Sequence, residues 1–178
     1  MKRLILVCVL SFCAAPLFAG SEKLDALFER LLVADDGGWR PIEDQIWEEW
    51  SQSGSASADF LLKRGRAALR EEDWAVAIDH LTALVELAPE FAEGYNMRAT
   101  AYYNAGLYGP SIEDIARTLL LEPRHFAALA GLASMFEEMN DPARAFEAYR
   151  RALAIHPHQP DLRQAVERLE PQVSGTDI

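Results

Sequence analysis

Apolar residues along this chain follow two kinds of pattern. Residues 4–19 form one nearly continuous apolar run, whereas from residue 21 onward apolar residues recur at steps of three and four. Such steps place side chains on one face of an α-helix. The pattern therefore predicts an all-α protein preceded by a short apolar segment.

The apolar segment has the features of a secretory signal. Lys2 and Arg3 precede it, Pro16 interrupts its end, and polar residues follow from Ser21. We expect residues 1–20 to be a signal peptide that is cleaved after Ala19 or Gly20. An uncleaved membrane anchor is the alternative, although a span normally needs about 20 apolar residues.

Both cysteines of the chain, Cys8 and Cys13, lie in this segment. Lipoprotein processing at Cys13 is disfavoured because Phe12 stands where a small residue is required. The mature chain would lack thiols, disulfides and cysteine metal sites, which suits an oxidising compartment. These features predict an exported, periplasmic protein with no stable membrane span after cleavage.

Two amphipathic helices are predicted in residues 21–57. The first starts at Ser21 and ends at the turn residues 35–38, and the second opens near Pro41 and runs to about residue 52. Trp39, Trp47 and Trp50 lie in this region. We expect them to cap the exposed end of the core, and an aromatic docking patch is the alternative.

Beyond residue 57 the chain repeats with a period of 34 residues, marked by Pro89, Pro123 and Pro157. Two helical patterns fill each period, which is typical of a stacked helical array. The predicted helices cover residues 58–71, 74–87, 91–104, 110–121, 125–139 and 142–155. Residues 160–171 are expected to form a capping helix that Pro171 ends, and residues 172–178 a disordered tail.

The repeated positions can be compared with the pattern W-x2-L-G-x2-Y, A-x3-F and P. Three units, residues 58–91, 92–125 and 126–159, match it loosely and in register. The matching residues before each closing proline are Leu61, Arg64, Gly65, Ala68, Ala77 and Leu81; Tyr95, Arg98, Ala99, Tyr102, Ser111 and Ile115; and Leu129, Leu132, Ala133, Phe136, Ala145 and Tyr149. The chain thus resembles the tetratricopeptide repeat family.

This resemblance implies an α-solenoid of helix hairpins, made of three clear repeats and a C-terminal capping helix. Residues 21–57 are in phase with the repeats and would form a degenerate leading helix pair. Small residues such as Gly65, Ala99 and Ala145 would let helices approach closely. A bulky replacement of Ala99 or Ala145 is expected to overpack the stack, at a cost of about 1–3 kcal/mol.

The charge of the chain bears on its partners. Without Lys2 and Arg3, 15 basic residues remain against 28 acidic ones, a formal charge of −13. Nucleic-acid binding depends on Lys and Arg that neutralise phosphates, so no nucleic-acid partner is expected. Solubility explains the charge most simply, and a basic partner fits it as well.

No catalytic or cofactor motif stands out. The sequence lacks a glycine-rich phosphate loop, a Gly-x-Ser-x-Gly elbow, histidines one helical turn apart and EF-hand spacing. His156 and His158 are two loop imidazoles without a third ligand, and His80 and His125 are expected to be solvated or locally hydrogen-bonded. Because no carboxylate pair has distinct environments, we expect no enzyme, no cofactor and no metal site.

The resemblance also implies a concave groove lined by the first helix of each repeat. Mapped by phase, its partner-binding residues would be Leu62, Arg66, Leu69, Arg70, Asn96, Thr100, Tyr103, Asn104, Ser134, Glu137 and Glu138, with Asp59, Glu93, Ala127 and Ala130 on the same stripe. Asn96 and Asn104 suit a peptide backbone, and Arg66 and Arg70 suit a carboxylate. The same residues also fit plain solvated helix faces.

The basic clamp by which some family members hold acidic chaperone tails is not reproduced, because Ala127 and Gly131 stand where bases would be needed. The sequence therefore predicts a periplasmic scaffold or adaptor that holds a peptide or protein segment in its groove. The alternative is a self-association module, a structural component in which the tryptophans of residues 21–57 dock another copy of the chain to form a homo-oligomer.

Overall fold

The structure, a computed structural model, describes residues 19–35 and 37–174, with side chains from residue 22 onward. This part of the chain contains nine α-helices and no strand. They are α1 (Ala19–Leu32), α2 (Trp39–Trp50), α3 (Ala56–Arg70), α4 (Trp74–Leu87), α5 (Ala92–Asn104), α6 (Tyr108–Leu121), α7 (Phe126–Glu138), α8 (Pro142–Ile155) and α9 (Pro160–Ser174). The predicted all-α fold is confirmed. The predicted signal segment lies outside the described residues except for its last two, which open α1.

The turn inside each repeat has the same geometry three times. Glu72, Gly106 and Asn140, which stand 34 residues apart, all have positive φ angles of 57–75°. In the first repeat the N–H of Asp73 donates to the carbonyl of Ala68, and equivalent bonds recur in the other two. This is a Schellman helix end, which satisfies carbonyls that would otherwise lack partners. The repeated turn places each hairpin in the same geometry.

Helices α3 to α9 pack side by side in chain order. Gly65 on α3 shows why small residues recur, since a Cβ atom there would lie 2.5 Å from Cγ of Leu81 on α4. Ala99, Ala133 and Ala145 are buried at the corresponding contacts of the other hairpins. The expected role of small residues at the helix contacts is therefore seen in the structure.

The helix pair α1 and α2 is present, but it lies elsewhere than expected. Its apolar residues, including Leu31 and Trp50, share one hydrophobic cluster with Phe126 and Leu129 of α7 and with residues of α8 and α9. The core of the first repeat, around Leu81 and Leu84, belongs to a separate cluster. The pair therefore reaches across to the third repeat, where its tryptophans pack against Phe126 and His156, and does not cap the first one.

The closing helix α9 covers the last hairpin, with Leu162, Ala165 and Leu169 buried against the array. Its end differs from the prediction, because Pro171 lies inside the helix, which continues to Ser174. A proline removes one backbone donor and so weakens a helix without always ending it. Residues 172–174 of the predicted disordered tail are thus helical, and residues 175–178 lie outside the described residues.

Candidate functional site

A cavity of about 260 Å³ lies between α5 and α7 on the concave side of the array. We call it the α5/α7 pocket. Its lining residues come from the second and third repeats and from the start of α6. They are Asn96, Ala99, Thr100, Tyr103, Asn104, Ser111, Ile115, Ala127, Ala128, Gly131, Ser134 and Met135.

The pocket brings together five of the predicted groove residues, namely Asn96, Thr100, Tyr103, Asn104 and Ser134. The other six, Leu62, Arg66, Leu69, Arg70, Glu137 and Glu138, do not line it. Leu62 was expected on the open groove surface but is only 2% exposed, because it belongs to the core of the first repeat. The groove surface that can contact a partner therefore contains fewer of the predicted residues than their repeat positions implied.

The floor of the pocket is apolar and its lining carries no charged side chain. Ala99, Ile115, Ala128 and Met135 form much of this floor. Gly131 leaves the centre open, since a Cβ atom there would meet only Cδ1 of Ile115, at 3.9 Å. From the sequence, Gly131 is expected only to lack the base that a clamp would need. A glycine in the first helix of the third repeat, where a side chain could fill the groove, is the sequence signal that could have located this pocket.

Most of the polar side chains around the pocket already donate within the protein. The hydroxyl of Thr100 donates to the carbonyl of Asn96 at 3.0 Å, and the amide of Asn104 donates to the carbonyl of Thr100 at 2.8 Å. The hydroxyls of Ser111 and Ser134 donate to the carbonyls of Ala99 and Ala130. The oxygen atoms of these side chains keep lone pairs that can accept further hydrogen bonds.

At one end of the pocket, the lining residue Tyr103 belongs to a cluster in which a carboxylate lies between two phenols. Tyr103 and Tyr108 both donate to Glu138, the second over 2.7 Å. The hydrogen bond to Glu138 raises the pKa of Tyr103 to about 12. The same bonds lower the pKa of Glu138, so this exposed carboxylate is ionised at neutral pH. A negative charge therefore stands at this rim.

At the other end, the lining residue Asn96 belongs to a buried polar network around Glu93, a residue expected on the groove surface. Glu93 is 1% exposed and accepts hydrogen bonds from Arg66, Asn96 and His125. Nδ1 of His125 accepts from the N–H of Ala128, so the proton of the neutral ring is on Nε2 and faces Glu93. This network ties α3, α5 and the start of α7 together.

Helix α2 covers this end of the groove. The Trp50 indole stacks on His125, and the Trp47 indole meets Phe126 edge-on with ring centroids 5.8 Å apart. Arg66 also donates to the hydroxyl of Ser51, just after α2. The groove surface at the start of α5 and α7 is thus occupied by the protein's own helix.

The histidines also differ from expectation. His125 is locally hydrogen-bonded as predicted, but it is fully buried and not solvated. His156 is fully buried too, and neither of its ring nitrogens has a hydrogen-bond partner. Burial lowers the pKa of His156, and Glu43, at 3.6 Å, opposes this shift only in part. Among the described residues no group of three or more His, Cys, Asp and Glu is placed to hold a metal ion.

Comparisons with known proteins agree with this architecture. The family model described as "Tetratricopeptide repeat" matches residues 62–109 and 96–160, which together make up more than half of the chain. A TPR repeat-containing protein of Rhizobium etli is 33% identical over 155 residues, which cover 86% of this chain and 76% of that protein.

Two solved structures show the same fold. The Sgt2 TPR domain from Aspergillus fumigatus is 23% identical with a TM-score of 0.62, and the match covers 67% of this chain and 81% of that one. The TPR2B domain of yeast Sti1, solved as a complex with pHsp70, is 22% identical with a TM-score of 0.62 and coverages of 66% and 99%. At these identities the likeness concerns the fold alone. Across the part of the chain that the structure describes, none of the helices is both long and apolar enough for a membrane span.

Proposed function

The chain belongs to the tetratricopeptide repeat family, and from this premise we propose that it is a protein-binding scaffold that holds a segment of another protein in the α5/α7 pocket. The observation that carries the proposal is the α5/α7 pocket itself. It is open on the concave face, its floor is apolar, and polar side chains from two successive repeats surround that floor. Concave sites with an apolar floor and a few placed polar groups are typical of binding sites. The yeast Sti1 domain, whose structure contains a bound pHsp70 partner, has the same fold.

We propose further that the scaffold is exported and acts in the periplasm. Lys2, Arg3 and the apolar run that follows them support this setting, as does the confinement of both cysteines to that run. Cell fractionation together with N-terminal sequencing tests it. The expected result is a soluble envelope protein that starts near Gly20 or Ser21, whereas a full-length chain in the cytoplasm would contradict it.

A non-enzymatic role fits the site. Its lining offers hydroxyls and amides that are bound to the backbone or to neighbouring side chains, with no nucleophile next to a base. The carboxylate at the rim, Glu138, accepts hydrogen bonds from two phenols and is not paired with a second carboxylate as an acid and base pair would be.

The burial of the tryptophans argues against self-association through them. Trp39 and Trp50 are 8% and 6% exposed, and Trp47 is partly buried against the same cluster. All three indoles contact His125, Phe126 or His156 within the same chain. The aromatic cluster acts as an internal contact between α2 and the third repeat.

Photo-crosslinking tests the assignment of the binding surface. A photoreactive residue at Asn104, on the pocket rim, is compared with one at Ala143, an exposed position on α8. We expect discrete adducts from position 104, lost when Gly131→Leu fills the pocket, and none of these adducts from position 143. Identical adducts from both positions, or adducts that survive Gly131→Leu, would reject the pocket as the binding site.

A further inference from the structure

The α5/α7 pocket is small and has a polar cluster beside each end. Its volume of about 260 Å³ lies below the roughly 300–1,000 Å³ of pockets that enclose drug-sized ligands. Helix α2 covers the groove beside Glu93, and the cluster of Tyr103, Tyr108 and Glu138 bounds the opposite end. The space suits one bulky side chain of a partner rather than a chain that runs through all three repeats.

The polar side chains of the pocket have more free hydrogen-bond acceptors than free donors. The hydroxyl donors of Thr100 and Ser111 are committed to backbone carbonyls, and the hydroxyl of Tyr103 is committed to Glu138. The hydroxyl of Ser134 is engaged with the carbonyl of Ala130 and the hydroxyl of Tyr149. The amides of Asn96 and Asn104 already donate once each. What remains is mostly oxygen lone pairs, so the pocket can accept hydrogen bonds more readily than it can donate them.

The charges near the pocket also disfavour an acidic ligand. The groove cations Arg66 and Arg70 lie on α3 and do not line the pocket, and Arg66 is already paired with Glu93. Glu138 is an exposed carboxylate at the rim, and the whole chain carries a net charge of −11. A carboxylate brought into the pocket would lose water without gaining a cation or enough donors, which is unfavourable. A cation beside the pocket would gain an ion pair.

We infer that the pocket takes a bulky apolar side chain from a partner segment whose neighbouring residues are Lys or Arg, and that it discriminates against segments rich in carboxylates. This inference rests on the proposed function, because it names the chemical class of segment that the same pocket holds. The apolar floor recognises the central side chain. The rim carboxylate and the open acceptors recognise its neighbours.

Binding of short synthetic peptides tests the inference directly. Three end-blocked peptides of equal length are titrated: one with a central Leu between lysines, one with the same Leu between glutamates, and one with a central Gly between lysines. We expect the Lys-flanked Leu peptide to bind at least tenfold more tightly than either of the others. The central Gly peptide controls for unspecific attraction of cations to an acidic protein.

Variants of the protein locate the effect. Gly131→Leu fills the hole and is expected to weaken the Lys-flanked Leu peptide at least tenfold, because the side chain occupies the site of the ligand Leu. Glu138→Gln is expected to reduce the preference for lysine over glutamate flanks several-fold and to leave the preference for Leu over Gly. Gly109→Ala, at an exposed site whose Cβ would meet nothing within 4 Å, serves as the matched control and should bind like the natural chain.

The outcomes separate this inference from the proposed function. If the glutamate-flanked peptide binds as well as the lysine-flanked one and Gly131→Leu abolishes both, the pocket binds segments but the inferred chemistry is wrong. If no peptide binds, or if Gly131→Leu changes nothing, the inference and the pocket assignment are both rejected.

Discussion

The indole of Trp50 lies flat against the imidazole of His125, with ring centroids 4.0 Å apart and planes inclined by only 7°. The two residues are far apart in the sequence, at the end of α2 and at the start of α7. The ring nitrogen of Trp50 is buried without a hydrogen-bond partner, so the contact depends on apolar burial and stacking. It fixes the leading helix pair across one end of the groove.

Removal of the Trp50 ring is therefore expected to destabilise the protein. Trp50→Ala should lower the free energy of unfolding by about 3–5 kcal/mol, the usual cost of truncating a buried aromatic side chain. Trp50→Phe should cost clearly less, because phenylalanine keeps a buried aromatic ring at the site and the unpartnered ring nitrogen of Trp50 makes no hydrogen bond that could be lost. Chemical denaturation measures both. Phe60→Ala, at a side chain that is 61% exposed, is the control, and an equal loss in this variant would contradict a docked α2.

The burial of His156 predicts a pH dependence of stability. Its pKa in the folded protein is lowered by burial, whereas in the unfolded chain it is near 6.5. Below about 6.5 the unfolded chain therefore binds more protons than the folded one, and the free energy of unfolding falls as the pH falls towards the lowered folded pKa. Above this window the contribution is fully present.

His156→Phe should flatten this dependence, because phenylalanine can keep the edge contacts with Trp39 and Phe126 and has no proton to bind. The measurement is the free energy of unfolding from neutral to mildly acidic pH. His80→Gln, at a partly exposed site, is the matched histidine replacement for comparison. An unchanged slope in His156→Phe would show that other groups cause the loss in acid.

Two glycines are expected to respond in opposite directions to the same change. Gly65→Ala should lower stability, because overpacking against Leu81 costs about 1–3 kcal/mol and the better helix propensity returns only about 1 kcal/mol. Gly109→Ala should raise it by about 0.4–1 kcal/mol, since nothing lies near the added Cβ and the unfolded chain loses freedom. Thermal or chemical unfolding of the two variants checks the signs, and equal shifts would contradict the close contact of α3 and α4.

The phenol of Tyr103 should ionise late in an alkaline titration. Its pKa is raised to about 12, chiefly because it donates to Glu138, whereas an unperturbed tyrosine has a pKa of about 10. Ultraviolet difference spectra of the natural chain, of Tyr103→Phe and of Glu138→Gln should show a late step that is smaller in the first variant, where Tyr108 still donates to Glu138, and moved to lower pH in the second. A Glu138→Gln titration that matches the natural one would show that Glu138 does not hold the phenol of Tyr103.

The helices of the array could be predicted closely because their signals are local. The helices at Trp74–Leu87 and Pro142–Ile155 were predicted with the observed bounds, since Asp73 and Asp141 cap them and the apolar period is regular. The start of α6 was missed by two residues, because the helix begins at Tyr108 ahead of the proline expected to open it. The end of α9 was also missed, because the helix continues past Pro171, which was expected to end it.

The groove could be predicted only in part. Phase arithmetic placed Asn96, Thr100 and Tyr103 on one face, and the structure brings them to one pocket. It could not show that Glu93 would be buried or that Arg66 would be neutralised by it, because both facts depend on how the side chains of α3, α5 and the start of α7 meet. Side chains that share a helical face are exposed or covered according to a neighbour that the period does not encode.

What the sequence determined by itself is the repeating hairpin: its length, its caps, its small contact residues and the face that turns inward, all of which follow from interactions between residues at most one period apart. Only the tertiary structure decided that α1 and α2 leave the series and cover the third repeat, and hence how much of the groove stays open. The physical reason is that burial of the apolar rings of Trp39, Trp47 and Trp50 stabilises the position of the helix pair. The surface that buries them, around Phe126 and His156, exists only after the array has folded.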